Sequence, residues 1–311
     1  MSLVWVPDAV AQLPPIYDTA PQSLAAAESV ASLPVNTFLE NVVVAPDGVL
    51  YVTSHETGSI LRVEAGEVET YAQIAGKVAG IALGPEQTLV VTGANETGMP
   101  AIFQVAADGA VETLLLPDAV FLNGVTPLSE TQYLVADSYL GAIWQVDVAR
   151  QTASMWLEHP LLARANAENP IPGVNGLKVQ DGILYASNTE QMRLLKIPIN
   201  ALGEAEAPEI WLEQVNIDDF DFDAAGNLYG ATHIYNSVVA IAPDGRLTTI
   251  ATAEAGVTGS TAVALSPEEA ALYVVTNGGM FLPPPEGVLP AQIVRLNLDT
   301  LELPALESSS L

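Results

Sequence analysis

Glu40-Asn41-Val42-Val43-Val44-Ala45-Pro46-Asp47-Gly48-Val49-Leu50-Tyr51-Val52 reads as a short apolar strand, a tight Pro-Asp-Gly turn and a second strand. The opening half of this unit returns at Ala79-Gly80-Ile81-Ala82-Leu83, Asn123-Gly124-Val125-Thr126-Pro127 and Asn175-Gly176-Leu177-Lys178-Val179. It returns again at Asp218-Asp219-Phe220-Asp221-Phe222 and Ala262-Val263-Ala264-Leu265-Ser266. Successive first residues lie 39, 44, 52, 43 and 44 positions apart. A period of about 40–50 residues built from short strands is that of a β-propeller blade.

Third strands recur within the same period, as in Ser59-Ile60-Leu61-Arg62-Val63 and Ala142-Ile143-Trp144-Gln145-Val146. Fourth strands follow, as in Val68-Glu69-Thr70-Tyr71-Ala72 and Ser154-Met155-Trp156-Leu157-Glu158. Their alternation of apolar and polar side chains suits half-buried outer strands. The last unit lacks a fourth strand of its own, and Glu28-Ser29-Val30-Ala31-Ser32-Leu33 supplies one from before the first unit. Pairing the two would close the ring and remove its open edges. The expectation is one all-β domain spanning 1–311, a six-bladed propeller with four antiparallel strands per blade and few helices. The blades are expected at 34–75, 76–117, 118–159, 170–214, 215–253, and 258–299 joined by 25–33.

Composition narrows the function. The 311 residues carry 37 acidic and 9 basic side chains, a formal charge of −28. Such a field repels phosphate backbones and anionic lipid, so neither nucleic acid nor a membrane surface is an expected partner. The absence of cysteine excludes disulfides, thiolate catalysis and sulfur-ligated metals. Met1-Ser2-Leu3-Val4-Trp5-Val6-Pro7 does not read as a secretory leader, and a cytoplasmic protein is expected. A small molecule is the expected ligand; the sequence does not determine an oligomeric state.

In a propeller the first strands all start from one face of the channel, here called the top. Their first residues form a ring that reads Glu40, Ala79, Asn123, Asn175, Asp218, Ala262. Two carboxylates and two carboxamides converging without Lys or Arg are costly to bury. A divalent cation removes the cost, and an all-oxygen donor set favours calcium over zinc or copper. Each Asn-Gly or Asp taken alone reads equally as a turn residue.

The second strands return to the same face and end there, placing His55 and His233 on the rim. Either is a proton shuttle near neutral pH or a packed, hydrogen-bonded ring. Asp137 and Asn188 occupy matching strand ends and are expected to face the channel as substrate contacts, as are His55 and Asp219; Asp219 also adds a charge beside the cation. Two long connections, 159–174 and 277–290, would overhang this face, with Leu161, Leu162, Met280, Phe281 and Leu282 as an apolar underside.

Glu40, Leu122-Asn123-Gly124, Val174-Asn175-Gly176-Leu177 and Asp218 resemble, in order and blade spacing, the metal ligands of the gluconolactonase, regucalcin and senescence-marker-protein family. Diisopropyl fluorophosphatases and paraoxonases look similar, more distantly, in the same four places. The resemblance runs from about Pro34 to Leu298. It implies calcium or another divalent metal, hydrolysis of lactones or sometimes organophosphates, and Asp218 as both ligand and general base or nucleophile. Asp218-Asp219 departs from the family's Asp-Gly. If water attacks, His233 is the expected base. The competing expectations are a binding propeller with a structural calcium, and a synthase of the strictosidine-synthase kind.

Overall fold

A computed structural model describes residues 20–299 together with Pro14, Ile16, Tyr17 and Leu301. Six four-stranded antiparallel sheets follow one another along the chain. Each innermost strand touches the innermost strands on either side, and blade six returns to blade one, so the sheets close into a ring. Within the described residues the only helical pieces are two short 3-10 turns, Pro85–Gln87 and Ala253–Ala255.

Inner strands such as Leu50–Ser54 and Leu228–Ala231 are buried along their whole length. Val42, Val52 and Leu61 of blade one pack with Ala262, Val275 and Ile293 of blade six. Leu134 and Ile143 of blade three pack in the same way with Leu177 and Leu184 of blade four. Closure follows the expected route. The strand Ala26–Val35 pairs antiparallel with Pro290–Asn297, so the first described strand becomes the outermost strand of the last blade.

Hydroxyl groups tie neighbouring blades together near the top. Thr53 Oγ1 donates to the Ala79 carbonyl at 2.6 Å and Ser187 Oγ to the Asp218 carbonyl at 2.9 Å. Thr261 Oγ1 donates to the Leu39 carbonyl at 2.8 Å, bridging blades six and one. Glycine at the position after a ring residue allows this close approach. A Cβ on Gly124 would lie 2.2 Å from the Asn175 carbonyl oxygen, and one on Gly176 2.8 Å from that of Asp218.

The pairing register corrects one ring position. Leu39 pairs with Ser54 and Asn41 with Thr53 in blade one; Ser260 pairs with Thr276 and Ala262 with Val275 in blade six. Thr261, not Ala262, therefore stands in phase with Glu40. Both strands carry a bulge at this point, and a bulge shifts register by one residue without any sign in the apolar pattern.

Candidate active site at the top of the channel

A cavity of about 570 Å3 opens at this end of the ring. Glu40, Asn123, Asn175 and Asp218 all line it, as do the rim histidines His55 and His233. Asn123, Asn175 and Asp218 are 3%, 4% and 6% exposed, so the floor is polar yet almost sealed. Phe38, Phe121, Tyr139, Ile171, Phe281 and Leu282 are among the wall residues.

One of the four ring side chains has an unpaired buried oxygen. Glu40 Oε2 is closed off from solvent and has no hydrogen-bond partner. Burial, followed by the charges of Asp218 and Asp219, raises the Glu40 carboxyl well above the usual carboxylate range. Asn175 Nδ2 donates to Asp218 Oδ1 and, at 3.1 Å, to Thr189 Oγ1. That leaves the Asn175 carbonyl oxygen uncommitted.

Asp218 Oδ2 lies 2.7 Å from His233 Nδ1. The other ring nitrogen, Nε2, lies 2.8 Å from Asn277 Nδ2. Asn277 Oδ1 already accepts from Gly279 N at 2.9 Å and Met280 N at 3.1 Å, which fixes the way the amide points. Nδ2 must then be the donor to His233, so Nε2 is an acceptor and Nδ1–H donates to Asp218. His233 is thereby held as one neutral tautomer, in a left-handed backbone conformation with φ of 45°. Both nitrogens of His233 are engaged here, so action as the expected general base requires the contact with Asn277 to open.

His55 differs. Its Nδ1 donates to the Val78 carbonyl at 2.7 Å, and Nε2 stands 3.8 Å from Glu56 Oε1, outside hydrogen-bond range. Burial lowers its pKa, opposed by the bond to Val78. A neutral imidazole with an open Nε2 therefore lines the cavity.

Three expected contacts lie elsewhere. Asp137 is wholly buried and accepts from Val120 N, Phe121 N, Leu140 N and Trp144 Nε1, so its carboxylate shapes the blade-three rim and does not reach the cavity. Asn188 Nδ2 donates to the carbonyls of Leu161 and Ala163, both at 2.9 Å, and pins the 159–174 connection from outside the cavity. Asp219 turns below the floor, where it accepts from Asn41 Nδ2 at 2.8 Å and Phe220 N at 2.9 Å. Burial raises its pKa; the ammonium of Lys178 is the largest opposing influence. Lys178 in turn is more basic than usual because Asp219 and Asp221 outweigh its own burial. A cation thus does sit near the acidic cluster, one tier beneath the ring.

The two connections behave differently. Pro170, Ile171 and Pro172 line the cavity from a segment that Asn188, Gln191 and Glu190 hold in place. Leu162 is not part of a lid underside, being fully buried in the core shared by blades three and four. Phe281, by contrast, stands 62% exposed over the mouth. Asn216 was not anticipated; it lines the cavity with Nδ2 donating to the Thr189 carbonyl and Oδ1 unpaired. Its place just before Ile217-Asp218 was the available signal.

Among the described residues, no three His, Asp or Glu side chains converge closely enough to hold a metal by themselves. A cation on this floor would need the carboxamides as well. The donor chemistry fits such a group: an orphaned carboxylate oxygen on Glu40, the carboxylate of Asp218, and the side-chain oxygens of Asn175 and Asn216.

No protein-family model and no curated protein matches the sequence. Solved structures do. A gluconolactonase from Xanthomonas campestris superposes with a TM-score of 0.67 at 14% identity, over 90% of this chain and 96% of its own. The chain shares the fold of these propellers. A luciferin-regenerating enzyme gives 0.68 at 15% identity, over 88% of this chain and 95% of its own. A calcium-binding regucalcin from Agrobacterium tumefaciens gives 0.65 at 14%, over 90% and 97%.

Proposed function

We propose that the cavity is the active site of a hydrolase acting on lactones or related esters, with calcium or a similar divalent cation held by Glu40, Asn123, Asn175 and Asp218. The observation that carries this reading is Glu40 Oε2, buried without a partner and raised in pKa by its carboxylate neighbours. Burying such a group uncompensated costs about 1–3 kcal/mol, and more if it is charged. A function that needs a cation gives a reason to keep it there. The calcium-binding and gluconolactonase descriptions of the structural neighbours support the same choice.

When bound, the cation supplies Lewis-acid polarisation of a carbonyl oxygen and positive charge against the developing oxyanion. The remaining roles fall to the chain. Apolar walls exclude bulk water and orient the ligand with its carbonyl toward the floor. The Nδ1–H of His233 and the Nδ2 of Asn175 fix both oxygens of Asp218, so its carboxylate is presented in one orientation. Asp218 withdraws a proton from a water whose oxygen bonds to the carbonyl carbon, or bonds to that carbon itself as an acyl-Asp218 that a water then cleaves. In either case the ring C–O bond breaks and a proton from the water ends on the departing alkoxide. His55, whose Nε2 lies open in the same cavity, is the side chain proposed to carry that proton.

The decisive experiment is calorimetric titration of calcium into chelator-treated protein, followed by a lactone panel with and without chelator. Calcium binding together with chelator-sensitive turnover supports the reading; lactone turnover unaffected by chelator overturns the role of the cation. Ligand binding without turnover is the second reading. It is favoured by the full engagement of Asp218 and His233, which leaves neither side chain free without a rearrangement.

A further inference from the structure

Aromatic side chains form the cavity wall in two groups on opposite sides of the ring. Phe38 leads into blade one and Phe281 lies in the blade-six connection; their rings meet edge to face at 5.6 Å. Phe121 and Tyr139 flank the inner strands of blade three and stack at 4.9 Å.

Most polar atoms on these walls are already committed, His55 Nε2 being open. Tyr139 Oη donates to the Pro170 carbonyl at 2.8 Å, Thr189 Oγ1 to the Ile217 carbonyl at 3.2 Å, and His55 Nδ1 to the Val78 carbonyl. Glu56 is engaged by Lys77 at 2.8 Å. Unpaired oxygen remains on Glu40 and Asn216, near the floor ring. No lysine or arginine lines the cavity among the described residues. A polyhydroxylated ligand would lose water along the walls and find few replacement partners there beyond His55 Nε2, at a cost for each unpaired hydroxyl. Apart from the cation proposed for the floor, an anion would meet no positive side chain in the cavity.

We infer that the cleft accepts an uncharged, flat and largely apolar ligand carrying a single carbonyl-type group, and excludes polyols and anions. The inference names the substrate class of the hydrolase proposed above and rests on that reading for the word substrate, but its binding arm stands without turnover. The volume of about 570 Å3 accommodates a bicyclic ring system. The ring lies between the two aromatic walls, its edge and faces meeting Phe38, Phe281, Phe121 and Tyr139.

The test uses the full chain with calcium present. Binding of 2-tetralone, a flat cyclic ketone that cannot be hydrolysed, is compared by calorimetry with binding of glucitol and of gluconate. The expected result is 2-tetralone tighter than either by at least about tenfold, with Phe281→Ala weakening it about fivefold or more. Phe281 is exposed, so this variant leaves the core untouched. Phe121→Ala removes the opposite wall as a second check. Glucitol or gluconate binding as tightly as 2-tetralone, or no binding of 2-tetralone, overturns the inference. So does 2-tetralone affinity unchanged in both variants. Turnover separates the two claims. If 2-tetralone binds but neither dihydrocoumarin nor glucono-δ-lactone is hydrolysed, the hydrolase reading fails and the ligand class stands. If glucono-δ-lactone is turned over as fast as dihydrocoumarin, the hydrolase stands and the ligand class is overturned.

Discussion

Asn277 Nδ2 and His233 Nε2 stand 2.8 Å apart, and this contact sets which nitrogen of the imidazole carries the proton toward Asp218. The same amide accepts from Gly279 and Met280, so one side chain serves both the blade-six connection and the floor. Asn277→Leu frees Nε2 and loosens the ring, while Nδ1–H still donates to Asp218. Turnover of a responsive lactone is expected to fall about 10- to 100-fold, as it does when a partner that orients a functional histidine is lost. Nitrogen-15 shifts of the His233 ring check the cause: an Nε2 that accepts a hydrogen bond in the parent chain and has lost it in the variant. Lost turnover with unchanged ring shifts would show that Asn277 acts on the loop alone.

Asp218→Asn keeps the size of the side chain and removes its charge. Turnover is expected to fall about 10²- to 10⁴-fold while circular dichroism stays that of the parent. Full activity in the variant would remove Asp218 from the mechanism.

Glu40 carries a clear pH sign. Its folded pKa is raised, so its favourable contribution is complete below the unfolded carboxylate range and is lost as pH rises through the folded value. At neutral pH and without calcium the carboxylate is a burden. Glu40→Gln is therefore expected to stabilise chelator-treated protein at pH 7 by about 1 kcal/mol, with the gap closing near pH 4. The same variant should show a smaller rise in Tm on adding calcium. Urea denaturation at the two pH values and thermal melts with calcium measure both.

His55 has the opposite dependence. Burial lowers its pKa, so the folded state prefers the neutral ring. Its contribution is complete above an unfolded pKa of about 6.5 and is lost as pH falls through the folded value. His55→Gln should flatten the fall in Tm on the acid side of pH 6.5. An identical slope in the variant would mean that the ring is solvated in both states.

The ring and its closure were legible because a propeller repeats one solution: every inner strand starts in the same phase, so Glu40, Asn123, Asn175 and Asp218 align in the sequence as they do in space. Thr261 escaped because a bulge moves register without changing the apolar pattern. Asp137 and Asn188 occupy phases that suggest the channel, yet their polar atoms turn to backbone groups of adjacent connections, and spacing along a strand carries no record of that turn. The tautomer of His233 depends on Asn277, 44 residues away in another blade. Lys178 was in view on the inner strand, but its role depends on Asp219 and Asp221 in the next blade.

The pairing of Ala26–Val35 with Pro290–Asn297 also bears on the order of assembly. During synthesis the strand Ala26–Val35 has no partner until blade six has been made, so the torus cannot lock before that point. Closing so long a loop is among the slower steps open to a chain of this length. Until the clasp forms, the floor of the cavity, assembled from four sectors of the torus, has no fixed circumference. Cutting the chain between this strand and the first blade should therefore weaken ligand and calcium binding without touching any residue of the cavity.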